Sequence, residues 1–321
     1  MKVCVTGGNG FIGAWLVRRL LAEGQTVRVF DLNPPGKLIR VLLGASLERV
    51  EWLQGDIGDT RAVDHALAAC DAVAHFAGVL TPFCQNDPVR GATINVIGTL
   101  NVFEAAKKHG IARVVYTSSA GVYGPKHAAY PEPTTHYGAF KLATEGCARS
   151  YWYNAGPDGR AVASVGFRPF VVYGPGREDG ASAGVSLACQ AAARGELYTI
   201  PFTGRTGMIH VDDVVEAFWA ALTRVVEGAH VFNLCGDVQS TDALIEEIGR
   251  QVPGARLSAS GAPLPIVADL PPDDLNRVLP GLPVTLLADG VARSLAFFAK
   301  HDTLEDGAES AQDIQPISLN A

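Results

Sequence analysis

The sequence predicts an α/β fold, a doubly wound parallel sheet followed by a smaller C-terminal portion. Two observations support this class. Apolar runs of strand length alternate with helical patterns through the first half of the chain, which is typical of a parallel sheet with helices on both faces. A glycine-spaced turn also joins the first predicted strand directly to the first predicted helix. The chain has 321 residues, enough for one large domain or two modest ones.

The glycine-spaced turn follows an apolar run at residues 3–5, which predicts a buried strand. Gly7, Gly10 and Gly13 come next at three-residue spacing, where an apolar helical pattern begins. The first glycine permits a tight turn, and the second lets the backbone approach a pyrophosphate closely. The third lets the helix pack closely on the sheet. Free N–H groups at the helix start would hold the phosphates. This pattern favours a Rossmann-like dinucleotide site over a plain glycine turn.

Beyond this turn, strand and helix signals continue to alternate. Asp59 or Thr60 would cap the second predicted helix, and Gly110 would end the third. The further predicted strands are residues 26–30, 49–53, 72–76, 113–117 and 161–167. The further predicted helices are residues 60–69, 94–109, 137–153 and 211–225.

The organisation changes at about Gly174, after which glycine, proline and polar residues interrupt shorter elements. Such interruptions are expected of a substrate-binding portion built from inserted segments. We therefore predict a dinucleotide-binding domain over residues 1–173, to which residues 211–235 return. Residues 174–300 would be mainly substrate-binding, and the polar residues 301–321 would form a flexible tail.

Composition excludes several classes of function. The chain has 26 basic and 33 acidic residues, a net charge of −7, which argues against a nucleic-acid or anionic membrane partner. Its six cysteines are scattered without metal-ligand spacing, which predicts free thiols in a reducing compartment and no metal site. No apolar run has the length of a membrane span, and the glycine turn leaves no room for a signal peptide before it. We expect a soluble cytoplasmic protein.

Two acids follow predicted strands. Asp31 ends the second strand, eighteen residues after Gly13. An acid there can accept hydrogen bonds from both ribose hydroxyls of an adenosine and would repel a 2′-phosphate, so NAD is favoured over NADP. The alternative is a turn aspartate. Asp56, after the third strand, could face the adenine edge, and a turn residue is an equal alternative for it.

Tyr137 and Lys141 are the candidate catalytic pair. Four residues apart in a helix, the phenol and the ammonium would project into one space. The ordinary pKa of tyrosine is about 10, and we expect the ammonium and a nicotinamide cation to lower it. Such a pair is common on helix surfaces. Ser119, after Ser118 at the end of the fifth strand, favours catalysis, because ligands of parallel sheets bind at the carboxyl ends of strands.

Eight motifs occur in order through roughly the first two-thirds of the chain. Together they make the sequence resemble the extended short-chain dehydrogenase/reductase family, the NAD-dependent epimerase/dehydratase group. The motifs are TGGNGFIG (6–13), GDIGD (55–59), HFAG (75–78), NVIGTLNV (95–102), TSSAGVYG (117–124), YGAFK (137–141), RPFVVYGPG (168–176) and IHVDD (209–213).

The resemblance implies NAD as cofactor and a role for each matching residue. The cofactor-binding set would hold, in turn, the pyrophosphate, the adenosine ribose, the adenine, the channel wall and the nicotinamide ribose. These residues are Gly7, Gly10, Phe11, Ile12, Gly13, Asp31, Asp56, Ile57, Phe76, Ala77, Gly78, Asn95, Tyr137 and Lys141. For catalysis, Ser119 would bind the substrate oxygen, Tyr137 would exchange its proton and Lys141 would support Tyr137. No role in the family requires His75, His136 or His210, which we interpret as structural.

Departures from the family pattern concern the substrate. Val171 replaces an asparagine that usually contacts a sugar diphosphate, and Thr206 and Gly207 replace an Arg-Asp pair. An Asn-Leu pair is also missing from residues 180–193. Losing three polar contacts would weaken diphosphate binding by several kcal/mol.

Other residues bear on substrate binding and on the type of reaction. Arg177 and Arg205 could compensate for the missing diphosphate contacts. Thr81 lies in a largely apolar loop that should form one wall of the substrate pocket. Dehydratases of the group have an acidic pair after the helper hydroxyl, where this chain has Ala120 and Gly121, so elimination is not expected.

Three functions remain as hypotheses. The leading one is an NAD-dependent oxidoreductase that acts on a secondary alcohol or ketone of a small polar, sugar-like substrate. The second is a nucleotide-sugar epimerase with tightly bound NAD, and the third is a non-catalytic NAD-sensing protein. The helices at 94–109 and 137–153 correspond to those through which family members pair, and Tyr151, Trp152 and Tyr153 cannot all face one core. A homodimer is therefore expected, and packing of these aromatic side chains against the second portion of the chain is the alternative.

Overall fold

Strands and helices alternate through the computed structural model, which describes residues 1–111, 113–126, 130–155, 159–271 and 273–301. The strands are β1 (Lys2–Thr6), β2 (Thr26–Asp31), β3 (Val50–Gln54), β4 (Ala72–His75), β5 (Arg113–Thr117), β6 (Ala163–Pro169), β7 (Val171–Tyr173), β8 (Leu197–Ile200), β9 (Arg205–His210), β10 (Ala229–Leu234), β11 (Asp237–Ser240) and β12 (Arg256–Ala259). The helices are α1 (Phe11–Ala22), α2 (Lys37–Leu43), α3 (Thr60–Leu67), α4 (Thr81–Asn86), α5 (Pro88–Ala92), α6 (Gly98–His109), α7 (His136–Tyr153), α8 (Gly184–Arg194), α9 (Val211–Thr223), α10 (Thr241–Gln251), α11 (Leu275–Val278) and α12 (Leu287–Lys300). The predicted tail lies outside the described residues from position 302 onward.

The main sheet has seven strands in the order β10-β6-β5-β4-β1-β2-β3, and every neighbouring pair is parallel. Its central strands are buried on both faces, which explains why they are continuous apolar runs in the sequence. The predicted fold class, a Rossmann-like doubly wound parallel sheet, is confirmed. The predicted strand at 113–117 matches β5 at both ends, and the other predicted strands differ from the observed ones by at most two residues at each end.

Helices cover both faces of this sheet because successive side chains of each strand point to opposite sides. Val3 and Val5 of β1 face a core shared with α1 and α9. Cys4, between them, faces a second core shared with α3 and α6.

The part of the chain after Gly174 is not a simple appendage. β10 pairs with β6 and so extends the main sheet, and α9 packs on α1. The other strands of this part form two small sheets, β11-β9-β7 and β12-β8. A third apolar core includes residues of α8, α10 and α12.

The predicted helix at 94–109 differs from the observed structure at its beginning. Residues 93–97 form a π-helical turn, and α6 begins only at Gly98. The amide of Asn95, within this turn, donates to the carbonyl oxygens of Gly91 and Val79, at 3.1 Å each. The irregular turn therefore aims the buried Asn95 side chain at the loop that follows β4, a use typical of π turns.

Neither a membrane-crossing helix nor a metal cluster occurs in the described ranges. No helix there is both long and apolar enough to cross a bilayer. No group of three or more His, Cys, Asp or Glu side chains there is placed to hold a metal ion. All six cysteines are free thiols.

Candidate active site

The glycine turn lies between the end of β1 and the start of α1. Gly7 has φ +69°, and a Cβ added there would lie 2.6 Å from the nitrogen of Ala77. A Cβ on Gly13 would lie 2.4 Å from the carbonyl oxygen of Gly7. Gly10 precedes α1 and provides no side-chain cap, so the first N–H groups of the helix remain available to a ligand. This geometry fits a dinucleotide pyrophosphate at a helix N-terminus.

Two adjoining spaces extend from this turn at the carboxyl edge of the main sheet. The larger is a cleft of about 900 Å³, and the smaller has a volume of about 350 Å³. Gly7, Gly10 and Gly78 line both. Of the other predicted cofactor residues, the larger cleft is lined by Phe11, Ile12, Gly13, Phe76, Asn95, Tyr137 and Lys141. The smaller space is lined by Asp31, Asp56, Ile57, Phe76 and Ala77.

Asp31 lies at the end of β2 beside the glycine turn. Its carboxylate accepts hydrogen bonds from the backbone N–H groups of Asn9, at 3.0 Å, and Asn33, at 3.1 Å. Burial raises the pKa of this carboxyl, while the backbone donors oppose the rise. Asp31 is therefore held in a fixed orientation at the wall of the smaller space, with acceptor capacity left for a ligand.

Asp56 has a partner that the sequence did not indicate. Its carboxylate accepts from the N–H of Gly58, at 2.8 Å, and from the guanidinium of Arg90, at 2.5 Å. The Gly58 hydrogen bond is the largest cause that lowers the pKa of this carboxyl, and Arg90 acts in the same direction. Arg90 lies in α5 and lines the smaller space with Asp56. No local motif signals this pair, because Asp56 follows β3 and Arg90 lies in α5, far apart in the sequence.

Tyr137 comes close to Ser119 because Gly138, next to Tyr137, packs directly on the backbone of Gly121. A Cβ on Gly138 would lie 2.1 Å from the carbonyl oxygen of Gly121. The Oγ of Ser119 accepts from the N–H of Gly121 at 3.0 Å, and the Ser119 side chain is close enough to Tyr137 to affect its pKa. The start of α7 therefore packs directly on the turn after β5. Lys141, one helical turn later, has its Nζ 5.8 Å from the centre of the Tyr137 ring.

Burial dominates the electrostatics of this group. Burial raises the pKa of Tyr137, whereas the side chain of Ser119 and the charge of Arg177 lower it. Burial also lowers the pKa of Lys141 to about 8. Among the groups of this chain, desolvation of the Tyr137 phenolate therefore exceeds its stabilisation by neighbouring side chains, and the lowering expected from the ammonium together with a nicotinamide cation stays a prediction.

A buried polar network lies beneath the catalytic candidates, and the sequence analysis did not identify it. Arg168 of β6 donates from Nε and Nη2 to the two carboxylate oxygens of Glu145, at 2.8 and 2.6 Å. Ser118 also donates to Glu145, and Arg168 donates to the hydroxyl of Tyr123 at 2.6 Å. Glu145 follows Lys141 by one helical turn, so helical spacing was the signal that could have indicated it.

The substrate side of the cleft contains two of the three residues predicted only for substrate binding. Thr81 and Arg177 line the cleft of about 900 Å³. Arg205 does not: it is exposed and pairs with Asp269, whose carboxylate oxygen lies 3.2 Å from Nη1. Residue 205 is the first of β9, and its side chain points to the surface, so the structure does not bring it to the site. Val171 lines the cleft, as does an apolar segment at 264–266 that the sequence analysis missed.

The histidines near the site are held by structural contacts. His75 is buried between the hydroxyls of Thr6, at 2.7 Å from Nδ1, and Thr99, at 3.0 Å from Nε2. Burial lowers the pKa of His75 to about 3, so the ring is neutral. His210 caps α9, and its Nδ1 accepts from the N–H of Asp212.

Comparisons with known proteins agree with this geometry. A family model described as the NAD dependent epimerase/dehydratase family matches residues 3–235. The chain is 31% identical to a UDP-glucose 4-epimerase of Mycolicibacterium smegmatis over 93% of this chain and 98% of that protein. It is 29% identical to a 2-alkyl-3-oxoalkanoate reductase of Stenotrophomonas maltophilia over 82% of this chain and 77% of that one. Among solved structures, the UDP-glucose 4-epimerase of Thermus thermophilus in complex with NAD superposes with a TM-score of 0.77 at 25% identity, covering 93% of this chain and 99% of that chain.

Proposed function

Since the chain belongs to the NAD-dependent epimerase/dehydratase family, we propose that it moves a hydride between a secondary alcohol or ketone carbon of its substrate and NAD. The chain is an enzyme of the extended short-chain dehydrogenase/reductase type. One observation supports the proposed chemistry above the others. Ser119, Tyr137 and Lys141 meet at the wall of the same cleft that begins at the glycine turn.

Each of these side chains has one task in the proposed reaction. NAD, when bound, supplies a nicotinamide ring that accepts or returns a hydride. During alcohol oxidation, the substrate hydrogen leaves carbon with its bonding electron pair, and the hydroxyl proton passes to the Tyr137 oxygen. Ser119 donates to the substrate oxygen and orients it. Lys141 adds positive charge beside Tyr137 and so favours its phenolate.

Further residues would hold the cofactor. The free N–H groups at the start of α1 would bind the pyrophosphate. Asp31 would accept from the adenosine ribose and disfavour NADP, and Asp56 with Ile57 would border the adenine. Asn95 would position the loop after β4 against the cofactor. Its side-chain amide accepts a hydrogen bond from the backbone N–H of Val79 and donates one to the carbonyl oxygen of Val79 in that loop.

The substrate proposed first is a small, polar, sugar-like alcohol or ketone. Val171 offers no hydrogen bond where relatives use an asparagine, and Arg205 faces away from the cleft. A nucleotide-sugar epimerase is the second candidate, and the 31% identity to a UDP-glucose 4-epimerase over nearly both whole chains favours it. In that case the hydride returns to the opposite face of the same carbon, and NAD is not consumed.

One set of measurements distinguishes the two candidates. The purified protein is denatured to release and quantify any NAD, and absorbance at 340 nm is followed with NAD plus free sugars, sugar acids, hydroxy acids or UDP-sugars. Net NADH production from a free alcohol supports the oxidoreductase. Retained NAD and interconversion of UDP-sugars without net absorbance change support the epimerase. Retention of near-normal turnover by Tyr137→Phe in either assay would overturn the catalytic assignment.

We propose also that two copies pair through α6 and α7. Ile97, directly before α6, and Tyr153, the last residue of α7, are large apolar side chains exposed to solvent, at 46% and 69%. Such side chains are commonly covered in assemblies. Static light scattering of the protein at micromolar concentration tests this, with a monomer mass as the contrary result. A cytoplasmic location remains a proposal that rests on the six free thiols.

A further inference from the structure

Arg177 differs from the other cations of the cleft. Its guanidinium forms no close ion pair among the described residues, and its single side-chain hydrogen bond there goes to Ser182, at 3.3 Å. The charge of Asp179 acts on it without such a pair. Its Nε is buried and unpartnered. Lys141, by comparison, donates to a backbone carbonyl at 2.8 Å, and Lys37 is exposed to solvent. An arginine keeps its charge even when burial lowers its pKa. A partly buried charge without a closely paired counter-ion is costly and points to an anionic ligand.

The loop that carries Arg177 places its guanidinium near the start of α1 and within electrostatic range of Tyr137. Gly176 has φ +90°, and a Cβ there would lie 2.4 Å from Leu38. The guanidinium carbon lies 5.9 Å from the centre of the Phe11 ring, at the start of α1. Arg177 also acts electrostatically on Tyr137, whose pKa it lowers. The guanidinium therefore lies between the glycine turn and the catalytic tyrosine.

The two acidic neighbours of Arg177 disfavour a ligand group with more than one negative charge. Glu178 and Asp179 follow Arg177 directly, are exposed and line the same cleft. A diphosphate would bring two negative charges to a wall with one guanidinium and two carboxylates. A carboxylate brings one charge, and its two oxygens match the fork of a guanidinium. The apolar side chains of Leu80, Val171 and Ile266 line the remaining wall and offer no further charge to a diphosphate.

We propose that Arg177 binds a carboxylate of the substrate, so that the substrate is a hydroxy acid or the corresponding oxo acid. This inference rests on the proposed function and names its substrate class. The carboxylate is anchored while the alcohol carbon, a few bonds away, loses its hydride to NAD and its hydroxyl proton to Tyr137. The products are the oxo acid, NADH and one proton, and the carboxylate itself is unchanged.

A binding experiment tests the anchor without turnover. The NAD-loaded protein is titrated with butyrate, which has one carboxylate and no hydroxyl group to oxidise, with its neutral analogue butyramide and with UDP, at constant ionic strength, by calorimetry. We expect butyrate to bind and butyramide not to bind. Arg177→Gln should weaken butyrate binding about ten- to a hundredfold. Arg177→Lys should lose less because the charge remains, and the exposed surface variant Arg250→Gln should bind as the wild type does. Tighter binding of UDP than of butyrate, or unchanged butyrate binding in Arg177→Gln, overturns the proposal.

A second measurement separates this inference from the proposed function. NAD affinity is measured for Arg177→Gln, and kcat/KM is compared for hydroxy acids and their amides. A loss of NAD affinity as large as the loss of butyrate affinity assigns Arg177 to the cofactor pyrophosphate and overturns the inference. Equal turnover of acid and amide by the wild type and by Arg177→Gln also overturns the inference, while the proposed oxidoreductase activity is then supported. Arg177-dependent butyrate binding without turnover of any alcohol supports the carboxylate anchor and counts against the proposed function.

Discussion

The Nζ of Lys141 donates a hydrogen bond to the backbone carbonyl oxygen of Thr117, 2.8 Å away. This contact joins α7 to the end of β5, just before Ser119. It fixes the ammonium of Lys141, which is almost fully buried, beside the Tyr137 ring. One main-chain acceptor therefore sets the relative positions of the three catalytic candidates.

Burial of Lys141 predicts a specific pH dependence of stability. The pKa of Lys141 is about 8 in the folded protein, against an ordinary value of 10.5. Between these values the unfolded chain binds more protons, so this residue makes the free energy of unfolding rise with pH in that window. Lys141→Met lacks this titration. Urea unfolding at pH 7, 8, 9 and 10 should therefore show the wild type gaining relative to Lys141→Met as pH rises. A difference that is independent of pH would contradict the burial of the charge.

The proximity of Ser119 to Tyr137 predicts a shifted pH–rate profile. The Ser119 side chain lowers the pKa of Tyr137, so Ser119→Ala should move the rising limb of alcohol oxidation to higher pH. Tyr137→Phe should lose about 10²–10⁴ in kcat and should have no such limb. Ser119→Ala should retain NAD affinity, measured by calorimetry, because Ser119 is not among the cofactor-binding residues. An unshifted limb in Ser119→Ala would assign the titration to another group.

The sequence was sufficient for the features that depend on local pattern. The strands of the main sheet are buried on both faces, so they are visible as continuous apolar runs. Gly7 and Gly13 are required by close backbone contacts that no other residue allows, so their spacing identified the turn. These are short-range constraints, and each is visible in the sequence as a residue type at a fixed spacing or as an apolar run.

Features that depend on tertiary packing could not be predicted in this way. Arg90 of α5 pairs with Asp56, which is 34 residues earlier in the chain, and Arg205 faces the surface because of the path of β9. The direction of the Tyr137 pKa shift depends on how far the surrounding elements exclude water, which a spacing of four residues does not reveal. Sequence therefore identified the catalytic candidates but not their electrostatic state.

Asp31 should determine the choice between NAD and NADP. Its carboxylate is fixed by two backbone donors at the wall of the smaller space. Asp31→Ala should weaken NAD about ten- to a hundredfold through the loss of charged hydrogen bonds to ribose. It should also raise the affinity for NADP relative to NAD. Asp56→Ala is the matched comparison, and a smaller loss is expected because Arg90 and Gly58 already occupy that carboxylate. Unchanged cofactor preference in Asp31→Ala would remove Asp31 from the ribose.

Two glycines should respond to alanine in opposite ways. A Cβ on Gly13 would lie 2.4 Å from the carbonyl oxygen of Gly7, so Gly13→Ala should distort the turn, cost about 1–3 kcal/mol of stability and weaken NAD binding. Gly146 is exposed within α7, and a Cβ there meets nothing within 4 Å. Gly146→Ala should stabilise the protein by about 0.5–1 kcal/mol. Chemical denaturation and NAD titration of both variants test this, and equal effects of the two would show that backbone contact at Gly13 is unimportant.

The Glu145–Arg168 pair should matter for stability and for the catalytic turn. Both side chains are shielded from water, at 7% and 13% exposure, and two hydrogen bonds join them. Arg168→Met leaves the Glu145 carboxylate buried without its counter-ion, which should cost about 3–5 kcal/mol in guanidinium unfolding. The double variant Glu145→Met with Arg168→Met removes both charges and should recover part of this loss.

Activity of the double variant separates stability from positioning. Ser118, next to Ser119, donates to Glu145, so the double variant should have a lower kcat than the wild type even where it is fully folded. NAD affinity should change little, because neither residue lines the cleft or the smaller space. Wild-type kcat in a folded double variant would show that the network supports the fold alone. If Arg168→Met is as stable as the wild type, the prediction is wrong, and the Glu145 carboxylate must be hydrated or paired with another group in that variant.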